Sequence, residues 1–165
     1  MDNNKLFIIG ISILIYFFIS IFVTKSITAK YRKTAIQKDD LNGYNLILAG
    51  IILSIGIIGK EVFSHLDMVI DLISTNKSTT TSLFQQICLH LGTGIFTLLM
   101  CYFLSQTLLK FIYEKEKITE RFGFNQFGYF ILFSILMISL SLLVNIFVLE
   151  VLQFFAPKIE GSLYN

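Results

Sequence analysis

Four long apolar runs leave this 165-residue chain few ways to fold. They cover residues 6–24, 44–58, 83–109 and 127–155, and the second continues as a mixed segment, GKEVFSHLDMVIDLI, to Ile73. A hydrocarbon layer ~30 Å thick takes about 20 apolar residues of helix to cross. Within it every backbone N–H and C=O must be paired internally, which favours helices. Composition agrees: 55% of the residues are hydrophobic and only 15% charged, against about 25% charged in soluble domains. The expected fold is all-α: a single integral membrane domain, 1–165, of four transmembrane helices. The net charge of +2 gives no basis for nucleic-acid binding, and the lipid bilayer is the first partner.

The first run resembles a leader sequence only superficially. Its apolar part, residues 6–23, is longer than the ~7–15 residues of a signal core, Lys5 is offset by Asp2, and no A-x-A pattern follows. It is read as a retained span. The only proline, Pro157, is placed to end the fourth helix.

The basic residues orient the bundle. Lys25, Lys30, Arg32, Lys33 and Lys38 lie between spans one and two, and Lys110, Lys115, Lys117 and Arg121 between spans three and four. Lys5, Lys60, Lys77 and Lys158 are scattered. The bias of Lys and Arg toward cytoplasmic loops places both basic loops in the cytoplasm and both termini outside. Tyr31, Tyr44, Tyr113 and Tyr129 mark the same interface, as an aromatic belt would. Asp39, Asp40 and Asn42 stand where the first free N–H groups of the second helix point, so their oxygens are expected to cap it and complement its dipole.

The chain also looks duplicated. Tyr102-Phe103 follows Tyr16-Phe17 by 86 residues, and Gly128-Tyr129 follows Gly43-Tyr44 by 85. Each half, 1–80 and 81–165, reads as a helix, a basic loop and a returning helix, which makes them parallel tandem repeats. The segment IQKDDLNGYNLILAGIILSIGIIG in the first half joins an acidic turn, an Asn and a glycine-rich apolar helix. A degenerate copy, ITERFGFNQFGYFILFSI, follows in the second, with Asn125 in the place of Asn42 and without the paired acids. In this the chain resembles the YjfL-like family of small bacterial inner-membrane proteins. The resemblance implies two tandem two-helix repeats, a bacterial inner-membrane location and no assigned activity.

Two groups of residues stand out as candidate sites. On the third helix Gln86, His90, Gly94, Thr97, Cys101 and Ser105 recur every three or four residues, so one face is polar or small along nearly its whole length. This face either lines a pathway or packs against other helices. On the second helix Lys60, Ser64, Asp67 and Asp71 form a stripe beside Glu61 and His65, a candidate outer vestibule if copies assemble. The opposite face, Val62, Leu66, Val69, Ile70 and Ile73, must be buried. His65 and His90 both lie toward the outside, where a histidine either senses pH or hydrogen-bonds structurally, and neither has metal-ligand spacing. Ser134, Ser141 and Asn145 share a side of the fourth helix, with Glu150 further out. Cys88 and Cys101, in one apolar segment, cannot meet.

No nucleophile–base motif, phosphate loop or cofactor signature is found, so no enzyme and no cofactor is expected. The leading expectation is a homo-oligomer that forms or controls a permeability pathway, lined by the third helix. The alternative is a membrane-anchored structural or regulatory subunit. It would dock a soluble cytoplasmic protein, as in a bacterial stress or defence system, through Lys30, Arg32, Lys33, Lys38, Lys115, Lys117 and Arg121.

Overall fold

The computed structural model describes residues 3–75, 80–113, 118–123 and 127–156, and its regular structure is helical. Four helices follow in order: α1 (Asn3–Gln37), α2 (Leu41–Thr75), α3 (Thr80–Ile112) and α4 (Phe127–Phe154). A 3-10 turn, Ile118–Glu120, precedes α4. Each of the four helices contains a stretch long and apolar enough to cross a membrane. Pro157, Asn125, Lys77, Lys115, Lys117 and Lys158 lie outside the described residues.

Specific contacts fix the directions of the helices. The Tyr16 hydroxyl of α1 donates to the Ile55 carbonyl of α2 at 3.3 Å, while Lys5 reaches Asp67 at 2.8 Å, so α1 and α2 are antiparallel. Gln86 Nε2 donates to the Phe155 carbonyl at 3.0 Å, and the Tyr113 and Tyr129 rings meet at 4.9 Å, so α3 and α4 are antiparallel too. Ser134 Oγ donates to the Leu46 carbonyl at 2.7 Å, and Asn145 Nδ2 to the Ile57 carbonyl at 3.3 Å, which makes α2 and α4 parallel neighbours. One end of the bundle, the basic end, carries the α1–α2 turn and the 3-10 turn. The other, the terminal end, carries Lys5 and Phe155.

The α2–α4 seam is the tightest. A Cβ on Gly50 would lie 2.7 Å from the Ser134 Cα, so only glycine permits this backbone approach. Around it Ile47, Ile51, Phe130, Phe133 and Met137 are fully or almost fully buried. Lipid tails are as apolar as these side chains, so such a seam is held by close packing and interhelical hydrogen bonds more than by exclusion from water.

Two expectations are corrected at the basic end. Residues 25–38 are not an open loop, because α1 continues through the basic run to Gln37. The reason is an internal stripe at helical spacing, Thr28, Tyr31 and Ala35, which buries against the bundle end while the cations face outward. Tyr31 meets Phe122 there, and Phe122 packs on Phe130. The expected capping is also narrower than three residues. Asp40 Oδ1 accepts from the Gly43 N–H at 3.1 Å and its Oδ2 from the Gly123 N–H at 3.0 Å, so one carboxylate caps α2 and ties down the segment before α4. Asp39 turns the chain with φ 52°, a left-handed conformation that Asp tolerates better than most residues. Asn42 is exposed.

Candidate functional site

The six residues singled out on α3 share the inward face. His90, Gly94, Thr97, Cys101 and Ser105 are buried and Gln86 is half-buried. Within one copy this face packs against the other helices, with Gly94 under the ring of Tyr16 and beside Val62. A second polar row, which sequence reasoning did not pick out, lies on α1. Ser12, Tyr16, Ser20, Thr24 and Thr28 are all buried, at a strict spacing of four that was legible in the sequence but overshadowed by the apolar residues between them.

Tyr16 sits at the crossing of α1, α2 and α3. Its ring lies against Gly59 and Gly94 and meets Phe63 edge-on at 5.4 Å. A Cβ on Gly94 would come within 2.9 Å of that ring, so the glycine makes room for it. The ring is wholly buried.

Toward the terminal end the structure joins two residues that the sequence assigned to different sites. His65 Nδ1 lies 2.9 Å from His90 Nε2, and the rings are near-parallel at 26°. His90 Nδ1 lies 2.7 Å from the Gln86 carbonyl, which can only accept, so that nitrogen carries a hydrogen. With His90 neutral its Nε2 is an acceptor, and His65 Nδ1 donates to it. His65 Nε2 is then left with a lone pair, buried and without a hydrogen-bond partner among the described residues. The clue was available: His65 falls between Val62 and Val69 on the face of α2 expected to be buried, and all five apolar residues of that face are indeed buried.

Other buried polar atoms without a hydrogen-bond partner among the described residues include Gln86 Oε1, Asn145 Oδ1, Thr24 Oγ1 and Ser105 Oγ. Together with His65 Nε2 they are spread along the bundle axis, two near the terminal end, one near the middle and two toward the basic end. An apolar interior penalises such groups by about 1–3 kcal/mol each.

The stripe on α2 does not gather into one site. Lys60, Ser64, Asp67 and Asp71 stay on the exposed face, Glu61 is half-buried and His65 turns inward. Asp67 and Asp71 receive Lys5 from the first turn of α1 at 2.8 and 2.6 Å. At the basic end Lys30, Arg32 and Lys33 are exposed, while Lys38 Nζ donates to the Glu120 carbonyl at 3.3 Å. The Arg121 guanidinium lies over the rings of Tyr113 and Tyr129 at 5.2 and 5.6 Å. Lys25, Arg32, Lys33 and Tyr44 border a groove of about 300 Å³ between α1 and α2. Among the described residues no group of three or more His, Cys, Asp or Glu is placed to hold a metal ion. No family model, curated protein or solved structure matches the chain.

Proposed function

We propose that this chain is a non-enzymatic, multi-pass protein of a bacterial inner membrane that controls a path for protons or small cations through its own bundle. In this reading the two hairpins are tandem repeats, as the resemblance to the YjfL-like family implies. The basic end faces the cytoplasm, both termini lie outside, and copies assemble. The observation that carries the reading is the column of buried polar groups, five of whose atoms have no hydrogen-bond partner among the described residues. Ionisable side chains inside membrane bundles, here His65 and His90, characteristically mark ion and proton routes. The path is internal to each copy, because the inward face of α3 is covered by α1, α2 and α4. Tyr16 holds it closed. His65 Nε2 is the proton acceptor at the terminal mouth, with His90 behind it. Movement of α1, the least buried helix, would withdraw Tyr16 and open the path.

Flux through proteoliposomes, read with an entrapped pH dye under an imposed potential, tests this. Tyr16→Ala should raise proton flux about tenfold or more over the unaltered protein, and adding His90→Leu and Thr97→Leu should remove the gain. Absence of flux from folded Tyr16→Ala protein across pH and voltage would overturn the reading.

The groove bordered by Lys25, Arg32, Lys33 and Tyr44 favours one alternative, a regulatory subunit that docks an acidic cytoplasmic partner. Reversing Arg32 and Lys33 to Glu would abolish such binding and leave flux through Tyr16→Ala unchanged.

A further inference from the structure

The outer surface of the bundle carries two charges where lipid should be. Lys60 on α2 has its side chain 81% exposed, and Glu150 on α4 is exposed. Their depth follows from the α2–α4 register. Asn145 bonds to Ile57, an offset of 88, so Lys60 is level with Val148. Glu150 stands two residues further out, ~3 Å along the axis. At this depth the bundle exposes Leu14, Phe96 and Phe147, and nearer the terminal end it still exposes Phe7, Phe84 and Phe154. Both charges therefore lie inside the apolar belt.

Among the described residues neither charge is well satisfied within one copy. Lys60 has there only the adjacent Glu61 carboxylate, 3.7 Å away and too far for a hydrogen bond. Among the described residues no cation lies within ion-pair distance of Glu150. A charge facing hydrocarbon costs several kcal/mol, and such residues normally pair or face protein. Lipid phosphates sit at the interface, and a soluble partner cannot enter the belt. A second copy of this chain can reach both charges.

We infer that Lys60 of one copy pairs with Glu150 of the next, in a head-to-tail contact between the exposed strips of α2 and α4. The inference rests on the assembly of copies proposed above but not on permeation. Lys60 is central in its strip, Leu53, Gly56, Lys60 and Ser64, and Glu150 continues the strip Ser139, Leu143 and Ile146 on α4. A Cβ at Gly56 would meet nothing within 4 Å, so a neighbouring helix can approach closely beside the charge. Copies inserted in one orientation hold α2 and α4 parallel, which brings the two charges to the same depth. A two-fold contact through α2 would instead set Lys60 against its own copy, like charge against like. The contact is heterologous, using different patches on the two copies, and so can close into a ring.

Charge reversal read as copy number in a mild detergent, by light scattering and native mass spectrometry, tests this. Lys60→Glu alone and Glu150→Lys alone should each give folded monomers. Mixing the two, under different tags, should restore assembly in alternating order, since each supplies the charge the other lacks. The double variant should assemble by itself. If Glu150→Lys assembles like the unaltered chain while Lys60→Glu does not, the head-to-tail contact is overturned but assembly stands. If the unaltered chain is monomeric in vesicles as well as detergent, contact and assembly both fall. Should the reversals misfold, Lys60→Gln and Glu150→Gln replace them, and equal copy number in all variants overturns the contact.

Discussion

The two arms of the first hairpin have the same length, 35 residues each, and opposite interiors. α2 buries Ile47, Ile51, Ile55, Ile58, Val62 and Leu66, whereas α1 buries Ser12, Tyr16, Ser20, Thr24, Thr28 and Tyr31 and turns its Leu, Ile and Phe residues outward. Of its most apolar window α2 has 44% buried and α1 17%. In water such an arrangement for α1 would be unstable. In lipid the apolar side chains lose little by facing out, and what is placed inside is chosen for packing or for chemistry. The difference assigns roles: α2 is the post on which the bundle is built, and α1 is the arm that carries the polar row and is held by fewer contacts.

The sharpest way to break this comparison is at Gly50. Gly50→Val places a side chain where the Ser134 backbone stands, and backbone cannot rotate away. Overpacking of this kind costs about 3 kcal/mol, and thermal unfolding in detergent should show the loss. Gly43→Val should cost less, because its obstacle is the Phe130 ring, which can shift. If both are tolerated, α2 is not the post.

The histidine pair sharpens the comparison from the other side, since it is the place where α2 contributes chemistry. His65→Leu leaves His90 Nε2 buried without its 2.9 Å partner, an effect of about 2 kcal/mol. The double variant with His90→Leu should cost clearly less than the sum of the two single changes, because the residues share one bond. Additive losses in the unfolding cycle would mean that the two rings do not interact.

Why the pair was not read from the sequence is instructive. The four spans, the buried face of α2 and the polar face of α3 follow from periodicity and length, which one helix carries alone. The meeting of His65 with His90 depends on the rotation of α2 against α3, and the placing of Tyr16 depends on two glycines, Gly59 and Gly94, from different helices. Such pairings are properties of two helices at once. The polar row of α1 was legible in principle, since Ser12, Tyr16, Ser20, Thr24 and Thr28 keep one interval. It was hidden by the expectation that the inward face would be the apolar one, a rule from water. The helical course of residues 25–37 was missed for a related reason, as basic residues so dense read as a loop unless Thr28, Tyr31 and Ala35 are taken as a stripe.

On α1 the comparison predicts a change of the opposite sign. Thr24 Oγ1 is buried with no hydrogen-bond partner among the described residues, so Thr24→Val removes an unsatisfied group while keeping the shape. Stability should rise, by about 1 kcal/mol, and proton flux through the Tyr16→Ala background should fall. A residue with no part in the path would give the stability gain without the fall in flux. Loss of stability would show that the hydroxyl is needed to hold α1, and the division of roles between the arms would then fail.

The smallest expected effect is at Asn145, on the α2–α4 seam. Its Nδ2 donates to the Ile57 carbonyl of α2 at 3.3 Å, whereas its buried Oδ1 has no hydrogen-bond partner among the described residues. The bond alone is worth about 0.6 kcal/mol in a membrane, and removing the unpaired oxygen offsets part of that. Asn145→Leu should therefore shift unfolding barely, while Asn145→Asp, which adds a charge at the same place, should destabilise strongly. If Asn145→Leu cost as much as Gly50→Val, the amide would be holding the α2–α4 seam, and the polar column would end at α3 and not extend across to α4.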